Sequence, residues 1–501
     1  MTFQAQNQSE FTQDAEVTTT PDSANAPEPS LLEQVAANDP VLKNIRFKLS
    51  KGTNGRDYIR LDKVGNKKHA LLDLSSKQTR KILIGKQLKC NFDMDINDIE
   101  REVDNAIKKL ESIAADNITP EQIFNRIANV GGTVFLNLNN QAGEVVEITA
   151  NGWRIITDCP VLFISSPNAL PLPTPIRGGN LEDFKKLLKL DDKSFVMLIA
   201  WNIMALRGLG PYPILNYIGP PGAAKSTRSI ITRLLIDPKR SPMTKKPRSS
   251  RDLDVVAANN AIVSINNVSD LSDEMSDSLC IIATEGGSES RQLYTDSGEC
   301  ILDTNRPVIV NGISKISTRG DLLDRTIFIN LERLTNDRAT QAEIMEKFAQ
   351  MQPAVLGVLL DGVSAGLKHF GDVKIDPLPR MADFATFICA AAKGINGLFE
   401  NFLEYYIENE NDVLNESIDN SPTAYAVKKL LESKNSFLMT MSELLNKLRN
   451  VQDKNLGNLP DNAQKLANEL KRIEHLLTTE GIKIEKKVTG KARLVQLTKM
   501  D

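Results

Sequence analysis

Short stretches of alternating apolar and polar residues characterise the first third of the chain. The alternation runs through 45–49 and 133–138, and Asn151-Gly152 adds a two-residue hairpin signal. Period-two alternation is typical of half-buried strands, and Asn-Gly favours the tight turns that join antiparallel strands. We therefore expect a small β-rich module at 41–90 and a β-meander at 121–165.

A helical period replaces this alternation elsewhere in the chain. Apolar residues recur at every third or fourth position across 96–115, which predicts an amphipathic helix. Residues 195–206 are apolar nearly all round, so we expect a buried helix within 180–210. Residues 338–415 also read as helical.

The C-terminal stretch 423–501 combines both periods. A capping-box sequence at 440–443 opens a first helix, and Asp461 can cap a second helix at 463–477. Two alternating strands then flank Thr489-Gly490. Two helices followed by a hairpin predict a winged helix.

The stretch 214–227 carries the clearest chemistry. Residues 214–218 are mostly apolar and predict a buried strand, a Gly/Pro turn follows, and a helix opens at Lys225. Strand, glycine-rich turn and helix are typical of a loop that holds nucleotide phosphates, although a chance turn is the alternative. The residues expected to bind ATP are Gly219, Pro220, Pro221, Gly222, Ala223, Ala224, Lys225, Ser226 and Thr227.

Three residues of this loop have individual expectations. Lys225 would reach the β- and γ-phosphates, and Ser226 would hold Mg²⁺ through its hydroxyl. Ala224 stands where the usual pattern has glycine. Alanine resists positive φ angles but is small enough to let a phosphate approach.

A second nucleotide motif follows the apolar run 261–265, which predicts another buried strand ending in Asn266-Asn267. A P-loop ATPase needs a carboxylate here to hold the water shell of Mg²⁺. Asn266 can hydrogen-bond a metal-bound water, but it supplies no charge and cannot act as a base. Asp270 and Glu285 are nearby in sequence and are candidates to substitute. We therefore expect nucleotide binding and leave hydrolysis open.

The next segment adds candidates for phosphate sensing. A hairpin and then a strand ending at Asn311 are predicted, which places Asn311 to touch the γ-phosphate or orient water. Arg319 or Arg325 could reach across a subunit interface onto a neighbour's γ-phosphate. The alternative for Arg325 is a structural ion pair with a nearby aspartate.

Charge is unevenly distributed along the chain. The net charge is −3, but residues 1–40 hold seven acidic residues and no Lys or Arg, and we expect them to be disordered. Residues 41–90 hold fourteen Lys and Arg against three Asp, and 423–501 hold fifteen against nine Asp and Glu. Two basic modules favour a polyanionic partner, with an ordinary Lys-rich surface as the alternative.

DNA is the expected polyanion. In the first module Phe47 or Tyr58 could stack on single-stranded bases, with core packing as the alternative. In the second, two helices and a basic hairpin fit the major groove, with protein contacts as the alternative. The candidate DNA-binding residues are Arg291, Lys465, Lys471, Arg472, Lys486, Lys487, Lys491 and Arg493.

Other chemistry finds little support in the sequence. The five cysteines are scattered, and the three histidines are far apart, so no zinc spacing exists. The N-terminus lacks a signal peptide, and 195–206 is about half the length needed to span a bilayer. We expect a cytoplasmic protein with no membrane partner.

Residues 120–332 resemble the ATPase core of phage, plasmid and integrated-element replication proteins, which is AAA+-like and related to superfamily 3 helicases. The matching motifs lie at 210–213, 219–227, 251–253, 291–296, 306–312 and 319–325. The C-terminal winged helix is similar to that of the same family. The resemblance implies a ring-forming ATPase in which the hairpin 291–303 contacts DNA, and it would place Asp at position 266.

The predicted fold is an α/β P-loop NTPase core of AAA+-like type, with small β-rich modules before it and a helical lid and winged helix after it. The expected domains are a disordered acidic tail (1–40), a basic β-rich module with an amphipathic helix (41–119), a β-meander and Pro-rich spacer (120–178), the ATPase core (179–335), the lid (336–422) and the winged helix (423–501). A helical bundle with no further role is the alternative to the lid.

Two functions stay open at this point. The first is a DNA-associated, helicase-like ATPase of a mobile element that acts as an oligomeric ring in replication, with ATP and Mg²⁺ as cofactors. The alternative is a hydrolysis-deficient, nucleotide-gated DNA-binding or assembly protein.

Overall fold

The computed structural model describes most of the chain. The described residues are 30–65, 67–90, 93–269, 271–284, 288–291, 299–302, 304–313, 320–334, 339–395, 397–419, 421–453, 456–489 and 492–500. Four candidates named above, Asp270, Glu285, Arg319 and Lys491, lie outside them, as does most of the predicted hairpin at 291–303. For Arg291 and Arg472 only the backbone is described.

The N-terminal module is a four-stranded sheet covered by helices. It consists of α1 (Leu31–Asn38), β1 (Phe47–Gly52), β2 (Asp57–Val64), β3 (Lys67–Asp73), α2 (Lys77–Cys90), α3 (Ile96–Asn117) and β4 (Pro120–Glu121). The strand order is β3-β2-β1-β4. The amphipathic helix predicted at 96–115 is confirmed as α3, and its buried residues share a cluster with the sheet. Phe47 and Tyr58 are 3% and 1% exposed, so they pack in the core and cannot stack on bases.

Helix α1 corrects the prediction that all of 1–40 is disordered. Ser30 and Glu33 form a capping box at its start. Ala36 is buried, and Leu32 and Val35 pack against the same cluster as the sheet. The prediction used the composition of residues 1–40 as a whole, which is acidic and poor in large apolar residues. Such an average does not reveal a short segment with one apolar face. Residues 1–29 lie outside the described part.

The meander lies between this module and the rest of the chain. Its strands are β5 (Ile123–Phe124), β6 (Ile127–Val130), β7 (Thr133–Asn137), β8 (Val145–Thr149), β9 (Gly152–Ile156) and β10 (Leu162–Phe163). The predicted antiparallel meander is confirmed by the order β6-β7-β8-β9. One set of its buried residues, which includes Val134, Val146 and Trp153, belongs to the same hydrophobic cluster as the helix that spans 192–207, and another set forms a small cluster of its own. Shared packing therefore crosses the boundary expected at 178.

The central unit is an α/β core built on a parallel sheet. Its elements are α4 (Glu182–Leu188), α5 (Asp192–Arg207), β11 (Ile214–Ile218), α6 (Lys225–Leu234), α7 (Ser250–Ala258), β12 (Val263–Ile265), α8 (Asp273–Thr284), β13 (Ser288–Arg291), β14 (Glu299–Leu302), β15 (Val308–Gly312), α9 (Gly320–Leu323) and β16 (Thr326–Asn330). The sheet is parallel with the order β12-β15-β11-β16. Since carboxyl ends of parallel strands meet at one edge, this order brings the ends of β11, β12 and β15 together.

A helical unit packs on the core. It comprises α10 (Gln341–His369), α11 (Ala382–Ala391), α12 (Phe402–Asp419) and α13 (Pro422–Ser433), with short 3₁₀ turns at Phe370–Asp372 and Ala392–Gly394. Trp153 Nε1 donates to Asp361 Oδ1 at 2.8 Å, which ties the meander to α10. Asn409 of α12 bonds both the N–H and the C=O of Phe328, at 3.0 and 2.7 Å, and so satisfies the edge strand β16. That these helices move as a lid stays a prediction.

The C-terminal module contains β17 (Ser436–Thr440), α14 (Met441–Val451), α15 (Ala463–Thr479), β18 (Ile482–Thr489) and β19 (Ala492–Lys499). The predicted helices and hairpin are confirmed, and β17 is an additional strand that pairs with β19. Asn462, rather than Asp461, caps α15, because its side chain accepts from the Lys465 amide. Within the described residues no helix is both long and apolar enough to cross a membrane.

Candidate nucleotide-binding site

The phosphate-type loop follows β11 and turns sharply before α6. A Cβ on Gly219 would lie 2.3 Å from the Leu331 carbonyl oxygen, so no side chain fits at this position. Gly222 has a φ of 85°, which glycine adopts without strain. The loop is therefore shaped by two glycines and by the strand that flanks β11.

Ala224 occupies the left-handed region directly before α6. Its φ is 55° and its ψ is 31°, and no side chain caps the helix. An alanine there costs about 1–2 kcal/mol relative to glycine. The uncapped N-terminus leaves the first amides of α6 available to an anion.

Lys225 folds back into the loop. Its Nζ donates to the Gly219 carbonyl at 2.6 Å and to the Pro220 carbonyl at 3.0 Å. Burial lowers the pKa of this amine. Phosphate oxygens would give the ammonium charged acceptors in place of these neutral carbonyls, which is how such a lysine holds a nucleotide.

Ser226 and Asn266 meet although they are 40 residues apart in sequence. The Ser226 hydroxyl donates to Asn266 Oδ1 at 3.2 Å. One residue opens α6 and the other follows β12, so the sheet order places both oxygens beside the loop. Mg²⁺ prefers oxygen ligands and keeps several waters, so a hydroxyl and an amide oxygen fit it. Neither group supplies negative charge.

Asn311 lies deeper than the sequence predicts. It is 2% exposed; its Nδ2 donates to Ser229 Oγ at 3.0 Å, and its Oδ1 accepts from the Asn267 amide at 2.8 Å. Asn267 has a φ of 57°, a left-handed conformation that asparagine tolerates. Both amide atoms of Asn311 are engaged inside the protein, where they hold the turn that positions Asn266. The expected contact of Asn311 with a γ-phosphate stays a prediction.

Arg325 follows the structural alternative. It forms an ion pair with Asp321, donates to the Asp321 carbonyl at 3.2 Å, and its side chain is only 14% exposed. The pair is only partly enclosed, because the Asp321 side chain is 50% exposed. The structure therefore shows the intrachain ion pair, and a trans role for Arg325 stays a prediction.

Arg333 is a candidate that the sequence reasoning missed. Its Nε lies 4.0 Å and its Cγ 3.9 Å from the position of a Cβ on Gly222. The chain reaches this point because the Leu331 amide donates to the Ile218 carbonyl at 2.7 Å, which carries the end of β16 across the loop. Arg333 follows the predicted strand at 326–331, and ligands of open α/β sheets bind at the carboxyl ends of the strands. That position in the sequence could have pointed to Arg333.

The basic residues of the C-terminal module fall into two groups. Lys465 bonds Asp461 at 2.6 Å, so its charge is already paired. Lys486, Lys487 and Arg493 are exposed on the hairpin, and within the described residues none of them has an ion-pair partner. Lys471 and Lys486 both line a groove between α15 and the hairpin, which Glu474 also borders.

Two family models match the chain. The model described as actinomycete integrative conjugative element replication protein matches residues 186–414, and that of the AICE RepA C-terminal domain matches 423–501. Together they cover more than half of the sequence. Among the curated proteins no significant match was found.

Solved structures of similar architecture are remote. SCCmec type IV Cch, described as an active helicase, is 13% identical, with 90% of this chain and 93% of that chain covered and a TM-score of 0.47. The C-terminal region of NrS-1 is 12% identical, with 91% and 96% covered and a TM-score of 0.39. JCV helicase is 12% identical, with 43% and 72% covered and a TM-score of 0.21.

Proposed function

Since the chain belongs to the family of actinomycete integrative conjugative element replication proteins, we propose that it is a DNA-associated P-loop ATPase that acts in replication. The observation that carries this proposal is the contact of Ser226 with Asn266 beside a loop into which Lys225 is folded. These three residues come from two strand ends, and their polar groups converge where a Mg²⁺-nucleotide is held in such folds.

The chain's own groups would divide the work of holding the nucleotide. The amides of the loop and of the α6 N-terminus bind phosphate oxygens, and Lys225 neutralises their charge. Ser226 and Asn266 would hold Mg²⁺, directly or through water. Arg333 would supply a second cation from the same chain. Bound Mg²⁺ would supply neutralisation of phosphate charge.

Nucleotide binding tests the site before hydrolysis is considered. Titration of the full-length protein with MgATP should show saturable binding that Lys225→Ala weakens at least about tenfold, since a charge-assisted hydrogen bond is lost. Lys186→Ala is the matched control, because Lys186 is 74% exposed on α4. Equal MgATP affinities in the wild type and in both variants would contradict a nucleotide site at this loop.

Asn266 favours a second candidate function, a nucleotide-gated DNA-binding or assembly protein that does not hydrolyse ATP. A neutral amide cannot act as the base, and Asp270 and Glu285 are the carboxylates that would have to replace it. In this reading Asn266→Asp switches hydrolysis on. A wild-type protein that already turns over ATP, in a way that Lys225→Ala abolishes, contradicts the switch and supports the ATPase.

Several finer features belong to the same proposal. The order β12-β15-β11-β16, with β15 between the two motif strands, supports an AAA+-like core. The succession α14, α15, β18, β19 supports a winged helix at 423–501 that contacts DNA through Lys486, Lys487 and Arg493. We also propose an oligomeric ring in the cytoplasm, with the hairpin that includes Arg291 toward DNA and Arg319 as the trans arginine.

A further inference from the structure

A small polar pocket lies between the N-terminal module and the meander, away from the nucleotide-binding site. Its volume is about 130 Å³, which is ample for several waters because one water needs only about 10–15 Å³. One wall is formed by β2 and β3, and the other by the β7–β8 connection and the segment around β10. The two walls belong to parts of the chain about 70–100 residues apart.

Basic residues outnumber acidic ones in the lining of this pocket. Arg60, Lys67, Lys68 and His69 line it, while Asp158 is the one acidic residue that does. Lys67 is the most enclosed of the four. Its Nζ donates to Asn139 Oδ1 and, at 2.9 Å, to Ser165 Oγ, so both partners are neutral. Burial, with a smaller contribution from the charge of Arg126, lowers the pKa of Lys67 to about 8.

The two other permanently charged groups of the pocket also lack carboxylate partners. Across the described ranges, neither Arg60 nor Lys68 forms an ion pair. Two other cations of the same module do form ion pairs, Arg56 with Asp73 at 3.2 Å and Arg80 with Asp104 at 2.6 Å. What distinguishes the pocket wall is that several cations without carboxylate partners converge on one cavity.

The backbone holds the two walls in fixed register. The Ser165 amide donates to the Leu71 carbonyl at 2.7 Å, and the Lys68 amide donates to the Gln141 carbonyl at 3.4 Å. His69 and Asn139, on opposite walls, both adopt left-handed conformations with φ of 52° and 53°. Non-glycine residues rarely hold such angles, and they cluster at binding sites where the surroundings enforce them. The pocket is thus built before any ligand arrives.

We propose that this pocket binds a phosphate group, and that its source is the backbone of a nucleic acid. Ammonium, guanidinium and hydroxyl donors around a cavity of this size match the oxygens of one phosphate. The pocket opens within a module in which residues 41–90 carry fourteen Lys and Arg against three Asp. Phosphate contacts of this kind position a nucleic acid without reading its sequence.

This site replaces the stacking surface that the sequence suggested. Phe47 and Tyr58 are buried, so the N-terminal module offers charge rather than aromatic faces to a strand. The inference rests on the proposed DNA association but not on ATP binding, because no residue of the pocket belongs to the phosphate-type loop.

The test compares two double variants of the full-length protein. Arg60→Gln/Lys68→Gln removes two pocket charges without touching the enclosed Lys67. Lys81→Gln/Lys89→Gln removes two charges from exposed positions of α2 in the same module and serves as the matched control. Binding of a fluorescent single-stranded oligonucleotide is measured at several salt concentrations, and MgATP affinity is measured in parallel as a check on the nucleotide-binding site.

The pocket variant should bind the oligonucleotide about tenfold more weakly. In a plot of log binding constant against log salt concentration, the magnitude of its slope should be smaller by roughly 0.7, the value for one phosphate contact on a single strand. The control should change less than twofold. Equal losses in both variants would overturn the proposal in favour of diffuse attraction.

Inorganic phosphate distinguishes the two sources of the phosphate group. If phosphate binds the wild type but not the pocket variant while oligonucleotide affinity is unchanged, the nucleic-acid source is overturned and the ligand is a free phosphate compound. If the wild type does not bind MgATP but the pocket variant still loses oligonucleotide affinity, the proposed nucleotide site fails and the phosphate pocket stands.

Discussion

Ala224 shows how one residue can oppose its own backbone conformation. Replacing it with glycine removes the left-handed strain of about 1–2 kcal/mol but makes the unfolded chain more flexible, by about 0.4–1 kcal/mol. We therefore expect Ala224→Gly to raise the free energy of unfolding by about 0.5–1 kcal/mol and to retain MgATP binding. Urea unfolding measures the first effect and nucleotide titration the second.

Ala223→Gly is the matched control for that change. Ala223 is fully buried and does not adopt a positive φ. Its replacement loses a buried methyl group and adds flexibility, so it should destabilise the protein by about 1–2 kcal/mol. If both variants were destabilised alike, strain at Ala224 would not be the reason.

Arg333 makes a prediction about affinity. Arg333→Ala should raise the Kd for MgATP about three- to tenfold, because one charge-assisted contact at an exposed position is lost. Arg101→Ala changes an arginine whose side chain is 73% exposed in the N-terminal module and should leave the Kd unchanged. An unaltered Kd in Arg333→Ala would show that its position over Gly222 serves no nucleotide contact.

The sequence predicted local structure best where a residue type has a narrow conformational role, as glycine has in tight turns. The glycines of 219–222 and the apolar run before them allowed the strand, the turn and the start of α6 to be predicted. It did not anticipate the burial of Asn311 and could not choose between the two roles offered for Arg325, because the sequence does not show how deeply a side chain is buried or which neighbour it meets. Arg333 was missed for the same reason, since its relation to Gly222 depends on the path of the chain after β16.

At the scale of elements, periodicity predicted most helices and strands of the described chain. It missed α1, whose apolar face is short and lies in an acidic tail, and β17, which is a strand only because it pairs with β19. Both elements depend on partners distant in sequence. Periodicity also missed α2 (Lys77–Cys90), which lies in the stretch expected to be β-rich. Local patterns can show that a segment is able to form an element, but tertiary contacts decide whether it does.

At the scale of the molecule, the central unit and the C-terminal module share part of one hydrophobic cluster. Leu323 and Phe328, from the central unit, lie in the hydrophobic cluster of the C-terminal module. Asn409 fastens α12 to the same strand, β16. The parallel sheet of the central unit and the C-terminal module are therefore joined by shared packing at the edge opposite β12. Through this packing, a displacement of the sheet would be transmitted to the C-terminal module.

Glu410 lies on α12 next to Asn409, and it makes the stability of this region depend on pH. Burial raises its pKa from 4.5 to about 7, against an opposing hydrogen bond from Tyr406. Because the folded chain holds this proton more tightly than the unfolded chain, stability falls as pH rises from about 4.5 to about 7, and the loss is complete above that range. Glu410→Gln should therefore raise the free energy of unfolding at pH 8 by about 1–3 kcal/mol, after allowance for partial exposure.

The same variant should have little effect at pH 4, where Glu410 is protonated in both states. Urea unfolding at the two pH values measures the difference. Glu404→Gln, at an exposed position of the same helix, is the control and should show no comparable gain at pH 8. A stabilisation by Glu410→Gln that is equal at both pH values would contradict the assignment.

The most direct test of the proposed function is steady-state ATP hydrolysis by the full-length protein, with and without single-stranded DNA, beside Lys225→Ala and Asn266→Asp. An ATPase that acts on DNA predicts turnover that rises with DNA and is lost in Lys225→Ala. Wild-type protein that binds MgATP tightly but does not hydrolyse it, while Asn266→Asp does, would contradict the ATPase and leave a nucleotide-gated switch.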